Sequence, residues 1–383
     1  MRTVSWRGRL LRMDPLLAGA IFALCIAGVF FIRSAGMHSP LRAGLYVRQI
    51  GWVVIGSALF IGVALADYRR VLEQAVWIYL IGLGLLALVL ISGDVINGAR
   101  RWLKFFGTPV QPSEIAKIST VLMLARLLGR PDLDPRRFSV IWKAALVVVP
   151  PFILIAVEPD LGTAAVLIPV TAVMLFLAGV PFRTLALLAL PVAGAAAMVG
   201  WMAVHHPDLG ESVLDEYQLK RIRVFLGVER DPLGAGWNKI QSGIAVGSGG
   251  MWGKGYGAGT QNTLGYLPQT VAPTDFIFSV IGEETGFAGS AALLALYTAL
   301  LAGGLRAAGR APDRGGRLLA AGLATLVFTH VFVNIAMTIG LMPITGLPLP
   351  LISYGGSVTV ATMLGLGLMQ SVGLPRRRSG AGV

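Results

Sequence analysis

Apolar residues gather along this chain into ten long stretches, 16–32, 50–66, 72–92, 112–128, 140–157, 161–178, 183–203, 276–302, 317–341 and 354–373, with polar and glycine-rich sequence between them. Crossing about 30 Å of hydrocarbon takes roughly 20 helical residues, so each stretch reads as a transmembrane helix or close to one. The pattern predicts an all-α, polytopic membrane protein with about ten transmembrane helices, forming one membrane domain over residues 1–383. Most connections are short. The exception is 204–272, between helices seven and eight, and connections of that length usually carry function.

Composition agrees with the pattern. Of 383 residues, 55% are apolar and 13% charged; the mean hydropathy is +0.73. That is too much apolar surface for one soluble core. Arg2, Arg7, Arg9 and Arg12 precede the first apolar stretch. No small-residue cleavage site follows, so 16–32 reads as a retained helix and not a leader. The net charge of +13 is explained by orientation and needs no nucleic-acid partner. With both termini cytoplasmic, most Lys and Arg fall in the cytoplasmic segments, and 204–272 becomes an extracytoplasmic loop. The single cysteine, Cys25, can form neither an intramolecular disulfide nor a thiolate metal site.

A charge near a span costs free energy that something must offset, so each polar cluster has a structural and a functional reading. Asp275, in Pro273-Thr274-Asp275-Phe276, stands where helix eight enters the membrane from outside. It is either a helix cap or a catalytic carboxylate at the headgroup level. Glu283 and Glu284 lie about 12 Å deeper and suit structural ion pairs. Glu114 and Lys117 share a face of helix four, as a structural pair or as substrate ligands. Asp160, in Glu158-Pro159-Asp160-Leu161-Gly162, reads as the cap of helix six. In the long loop, basic and apolar residues interleave over 217–226 as in a helix at a membrane surface. Eight glycines in 243–259 surround Lys254, which gives either a phosphate-approaching loop or a turn-rich connection. Pro343, Pro348 and Pro350 break the external end of helix ten. The four histidines show no ligand spacing.

Taken together, these motifs resemble the SEDS family, and its RodA type in particular. The match covers nearly the whole chain. It is carried by Gly98-Ala99-Arg100-Arg101-Trp102, Gln111-Pro112-Ser113-Glu114, Glu158-Pro159-Asp160-Leu161-Gly162, Asp231-Pro232-Leu233-Gly234, Gly247-Ser248-Gly249-Gly250, Thr274-Asp275-Phe276-Ile277-Phe278 and the segment 348–357. Glu158 departs from a common glutamine, and the stretch before Thr274 is longer than usual.

The resemblance implies a peptidoglycan glycosyltransferase that polymerises lipid II during cell elongation and releases undecaprenyl pyrophosphate. It implies a place in the bacterial inner membrane, with a class B penicillin-binding protein and other elongation-complex proteins as partners. It makes Asp275 the essential carboxylate and implicates Trp102. Glycosyl transfer needs a base for the attacking hydroxyl and positive charge on the departing phosphates. Asp275 is then the base, or the holder of a divalent cation such as Mg or Mn. Arg101, Lys117, Arg221 and Lys254 are candidate phosphate partners, and Glu114, Ser353 and Ser357 complete the expected substrate contacts. A transporter or flippase of the same lipid, or a scaffold without chemistry, would be the competing functions.

Overall fold

The computed structural model describes residues 12–39, 42–96, 99–105, 108–206, 208, 210, 214–229, 231, 234–268 and 270–374. Arg2, Arg7, Arg9, Gly98, Pro232, Leu233 and the basic run 376–378 lie outside the described residues.

Helices occupy all ten apolar stretches. In chain order they begin with α1 (Pro15–Gly36), α2 (Leu45–Leu65), the short α3 (Tyr68–Glu73) and α4 (Ala75–Ser92). A small antiparallel sheet follows, β1 (Asp94–Ile96), β2 (Ala99–Phe105) and β3 (Thr108–Val110). Next come α5 (Pro112–Leu128), α6 (Phe138–Val157), α7 (Leu161–Ala165), α8 (Leu167–Leu177) and α9 (Phe182–His205). The long loop holds α10 (Glu216–Leu226), α11 (Ala235–Ser248) and α12 (Thr260–Thr263). The chain then runs through α13 (Ile277–Arg310), α14 (Arg314–Thr338) and α15 (Gly356–Gly373).

Seven of these helices, α1, α2, α4, α6, α9, α13 and α14, are by themselves long and apolar enough to cross a membrane. The protein is a multi-pass membrane protein. Of the others, α5 is more polar because it sits inside the bundle: Glu114, Lys117, Ser119 and Thr120 on it are all buried. Central α14 has 78% of its most apolar stretch buried, against 6% for α9, which stands at the periphery with most of its surface for lipid.

Local chemistry sets the boundaries. Asp14 caps α1 by accepting the Leu16 and Leu17 N–H groups, with Pro15 in the first turn. Its carboxylate also reaches Arg306 of α13 at 2.9 Å. α13 is broken at Gly286, whose φ of +64° only glycine adopts freely. The freed backbone groups find partners in the glycine-rich loop: Phe287 N–H donates to the Gly250 carbonyl at 2.9 Å, and Lys254 N–H to the Glu283 carbonyl at 3.0 Å. A β-carbon on Gly253 would come within 2.1 Å of the Glu284 carbonyl oxygen. These glycines therefore permit backbone-to-backbone packing that satisfies a helix break at membrane depth.

The loops interlock at the two ends of the bundle. At one end the β-sheet, the 158–160 turn, the long loop and the 339–355 segment meet, as when Tyr354 N–H donates to the Pro273 carbonyl at 2.8 Å. At the other, Arg69 pairs with Asp313 at 3.0 Å and Arg126 donates to the Leu72 carbonyl. Two elements depart from the sequence expectation. The sheet is one, because strands of three to seven residues leave little periodicity to read. The other is α11, where three glycines among fourteen residues would ordinarily argue against a helix, yet buried Gln241, Ser242 and Ala245 dock it on the bundle.

Candidate functional site

Asp275 stands in a wound turn just before α13. Its N–H donates to the Val271 carbonyl at 3.0 Å, and α13 itself begins with no side-chain cap. The main chain here is clamped from two elements. Asn334 of α14 donates to the carbonyls of Asp275 at 2.9 Å and Leu347 at 2.7 Å. The Ser353 hydroxyl donates to the Thr274 carbonyl at 2.5 Å and accepts the Leu349 N–H at 2.8 Å. Ser353 thus holds the turn through its backbone. Asn334, a polar residue inside an apolar run, was the one sequence sign of this clamp.

The Asp275 side chain faces α10. A β-carbon on Gly346, itself at φ +77°, would lie 3.5 Å from Asp275 Oδ2 and 3.8 Å from an Arg221 guanidinium nitrogen. Carboxylate and guanidinium therefore converge on a spot that a glycine leaves open. Desolvation pushes the Asp275 carboxyl up to about 6; the Arg221 charge and the Thr274 hydroxyl oppose that rise, Asp160 adds to it and Arg101 reduces it. A group titrating near neutrality suits proton transfer.

Asp160 and Arg101 form the next layer. Along β2 side chains alternate between faces, which sends Arg101 and Leu103 one way and Trp102 the other. Arg101 Nε donates to the Glu158 carbonyl at 2.8 Å, a terminal nitrogen donates to the Pro159 carbonyl, and Asp160 lies 3.7 Å away. Arg101 is thereby a strut that fixes the 158–160 turn. Asp160 also caps α7 through the Thr163 N–H at 3.1 Å.

Glu158 is buried and neither carboxylate oxygen has a hydrogen-bond partner. Burial, with Asp160 adding and Arg101 opposing, pushes its pKa up to about 8. A carboxyl raised on folding favours the native state only while protonated in both states, and that advantage fades as pH climbs above its unfolded value toward 8. Glu158→Gln is therefore expected to raise stability at pH 7 and above by on the order of 3 kcal/mol, seen as a higher unfolding temperature, with no gain below pH 4. Thermal unfolding across a pH series checks this.

Trp102 lines a groove of about 680 Å³ with Arg48, Trp52, Ile55, Thr274 and Tyr354. Through Thr274 this groove adjoins Asp275. Its aromatic and apolar walls with one cation at the rim suit a lipid-linked sugar. Arg48, Trp52 and Tyr354 gave no signal in the sequence, because aromatic and basic residues at span ends are ordinary membrane anchors. Ser357 stands beside the groove, accepting the Gln111 N–H at 3.1 Å and donating to the Pro109 carbonyl at 3.2 Å, so it ties α15 to β3.

The remaining sequence candidates lie apart from Asp275. Lys117, 1% exposed, is 2.7 Å from Glu114 and 2.8 Å from His330 Nε2 in the bundle interior. Lys254 pairs with Glu283 at 2.6 Å and donates to Thr260. Glu284 accepts from Ser34 of α1. The structure thus brings Asp275, Arg221, Arg101 and Trp102 to one end of the bundle and places Lys117, Glu114 and Lys254 in internal ion pairs.

This arrangement has relatives. Residues 15–377 match the family model FTSW_RODA_SPOVE, described as cell cycle protein. The chain belongs to the FtsW/RodA/SpoVE family. Among its family relatives, the peptidoglycan glycosyltransferase MrdB of Escherichia coli (strain K12) is 38% identical over 95% of this chain and 94% of its own length. The peptidoglycan glycosyltransferase RodA of Treponema pallidum (strain Nichols) is 34% identical over 94% of this chain and 97% of its own length. Among solved family structures, one from a peptidoglycan synthase complex that coordinates polymerization and crosslinking superposes with a TM-score of 0.77 at 36% identity, covering 95% of this chain and 98% of the other. The rod shape-determining protein RodA of Thermus thermophilus superposes with a TM-score of 0.68 at 30% identity, covering 95% and 97%.

Proposed function

We infer that this membrane protein is a peptidoglycan glycosyltransferase of the elongation type and that Asp275 is its general base. The observation that carries the assignment of Asp275 is its placement: a desolvated carboxylate in a clamped turn, facing Arg221 and adjoining the Trp102 groove. In the reaction, the 4-hydroxyl of one lipid-linked saccharide attacks the anomeric carbon of another. The hydroxyl proton passes to Asp275, the new C–O bond forms, and the bond from the anomeric carbon to the pyrophosphate oxygen breaks with its electron pair leaving on undecaprenyl pyrophosphate. Arg221 supplies positive charge where that leaving group develops its own.

Among the described residues no group of three His, Cys, Asp or Glu could hold a metal. Asp275 would hold a divalent cation, Mg or Mn, only together with substrate phosphates, a pattern usual for Mg. Such an ion would add charge to the departing pyrophosphate. The substrate is lipid II, the membrane is the bacterial inner membrane with both termini cytoplasmic, and the crosslinking partner is a class B penicillin-binding protein. The solved synthase complex that resembles this chain supports that partnership.

Purified protein given labelled lipid II is expected to form glycan polymer. Lipid crossing a vesicle bilayer without polymer would favour transport instead. The pH profile offers a second check. A base must be deprotonated to act, so with Asp275 at about 6 the rate is expected to fall as pH drops through 6, with a plateau above 7. A profile flat from pH 5 to 8 would remove Asp275 from the proton transfer.

A further inference from the structure

The end of the bundle away from Asp275 holds a small polar cavity with no part in glycosyl transfer. Its volume is about 100 Å³, it lies where the chain passes from α5 into α6, and Arg130, Asp132, Asp134, Arg137, Ser139 and Lys143 supply its polar lining. That is room for a phosphate-sized group and too little for a nucleotide or a saccharide.

The 130–137 turn around it is fixed by its own bonds. Leu133 N–H donates to the Arg130 carbonyl at 3.4 Å, Arg137 N–H to the Asp134 carbonyl at 3.2 Å, and Arg136 N–H to the Asp134 carboxylate at 3.1 Å. Pro135 packs against the connection between α8 and α9, where a β-carbon on Gly179 would lie 3.1 Å from its ring. The cavity is therefore formed before anything enters it.

Three cations face two carboxylates in the lining, which leaves one positive charge in excess. Arg137 is engaged by Asp134 at 3.4 Å. The Arg130 guanidinium and the Lys143 ammonium make no hydrogen bond or ion pair among the described residues. Their neighbours differ in this. Arg69 is paired with Asp313, and Arg126 donates to the Leu72 and Glu73 carbonyls, so the adjoining cavity of about 320 Å³ has only Arg130 as an uncommitted cation.

The surface below the cavity identifies the anion as part of a lipid. Phe138, Trp142, Leu146, Val149 and Ile153 are all exposed at helical spacing along α6, Phe138 to 72% and Trp142 to 60%. This stripe begins at the cavity rim and runs down a helix long and apolar enough to cross the membrane, so it faces acyl chains. Lys143 stands beside Trp142, over a turn into α6. Its stem leans toward the start of the helix and carries the ammonium up to the headgroup level. Cations at that level above an apolar stripe match a phospholipid standing against the protein.

We propose that this cavity binds the headgroup of one phosphatidylglycerol molecule, with its phosphodiester between Arg130 and Lys143, its glycerol hydroxyls toward Asp132 and its acyl chains along Phe138, Trp142 and Leu146. One excess positive charge favours a lipid of one net negative charge over a zwitterionic one. The site is independent of whatever reaction Asp275 performs.

The test titrates the full chain in neutral detergent with phosphatidylglycerol, and native mass spectrometry follows the first lipid bound. Arg130→Ala and Lys143→Ala are each expected to weaken that binding about 5-fold, and the double variant about 25-fold, the usual effect of a cation beside a lipid phosphate. Arg317→Ala, an exposed cation on α14 outside the cavity, should leave it unchanged. Phosphatidylglycerol should also raise the unfolding temperature of the wild type more than that of the double variant, since a ligand of the native state stabilises by its affinity. Wild-type affinity in both single variants would overturn the assignment. An equal loss in Arg317→Ala would also overturn it, because the attraction would then be spread over the whole basic end. Phosphatidylethanolamine or phosphatidylcholine binding as tightly would remove the charge selection, and displacement of the lipid by inorganic phosphate would make the occupant a free anion. If one variant unfolds, the other decides.

Discussion

Asp275→Asn is expected to cut glycan polymerisation by roughly 10²–10⁴-fold, the usual contribution of a positioned general base. The amide has the shape of the carboxylate but cannot take the hydroxyl proton. The clamps on this turn act on its main chain, through Asn334 and Ser353, and so survive the substitution. The variant should be no less stable than the wild type. With the carboxyl pushed up to about 6, folding at pH 7 holds a charge in a site that resists it; its removal should add on the order of 2–3 kcal/mol, a net figure in which the opposing Arg221 attraction is already counted. By the sign of the shift, that gain shrinks as pH falls from about 6 toward 4 and is gone below that, where both states are protonated. Polymerisation of labelled lipid II, read beside thermal unfolding, checks both parts. An Asn variant that polymerises like the wild type would remove Asp275 from the chemistry, and one that is inactive because it unfolds would make the residue structural.

Most of the architecture was legible because lipid forces it. Apolar runs long enough to cross the hydrocarbon can satisfy their backbone there only as helices or closed barrels, and these runs lack strand alternation. The amphipathic pattern over 217–226 likewise matched a helix, α10. What the pattern could not show was where a charge points. Arg101 and Trp102 are adjacent in sequence, yet strand geometry sends one to the 158–160 turn and the other to the groove it shares with Trp52 and Tyr354. Lys254 and Glu283 are 29 residues apart and meet only because the glycine-rich loop closes on the break in α13. The Glu114–Lys117 contact was readable from spacing alone, as residues three apart on a helix. Its third member, His330, comes from another helix and gave no sign.

This buried trio leads to the second large effect. Lys117 Nζ donates to Glu114 and to His330 Nε2, which must therefore accept. A cavity of about 30 Å³ beside them, lined also by Leu323, Leu326 and Pro350, is scarcely larger than a water molecule and leaves no room for a phosphate. Lys117→Met should strand the Glu114 charge in the bundle interior and cost ~3–5 kcal/mol of stability, the usual penalty for breaking a buried pair from one side. Replacing both residues, Glu114→Gln with Lys117→Met, should recover most of that loss, because no unpaired charge remains. Denaturant unfolding of detergent-solubilised protein measures the two variants, and polymerisation per folded molecule should stay near wild type in the double variant. The opposite pattern, wild-type stability in Lys117→Met with polymerisation gone, would make Lys117 a substrate ligand despite its burial.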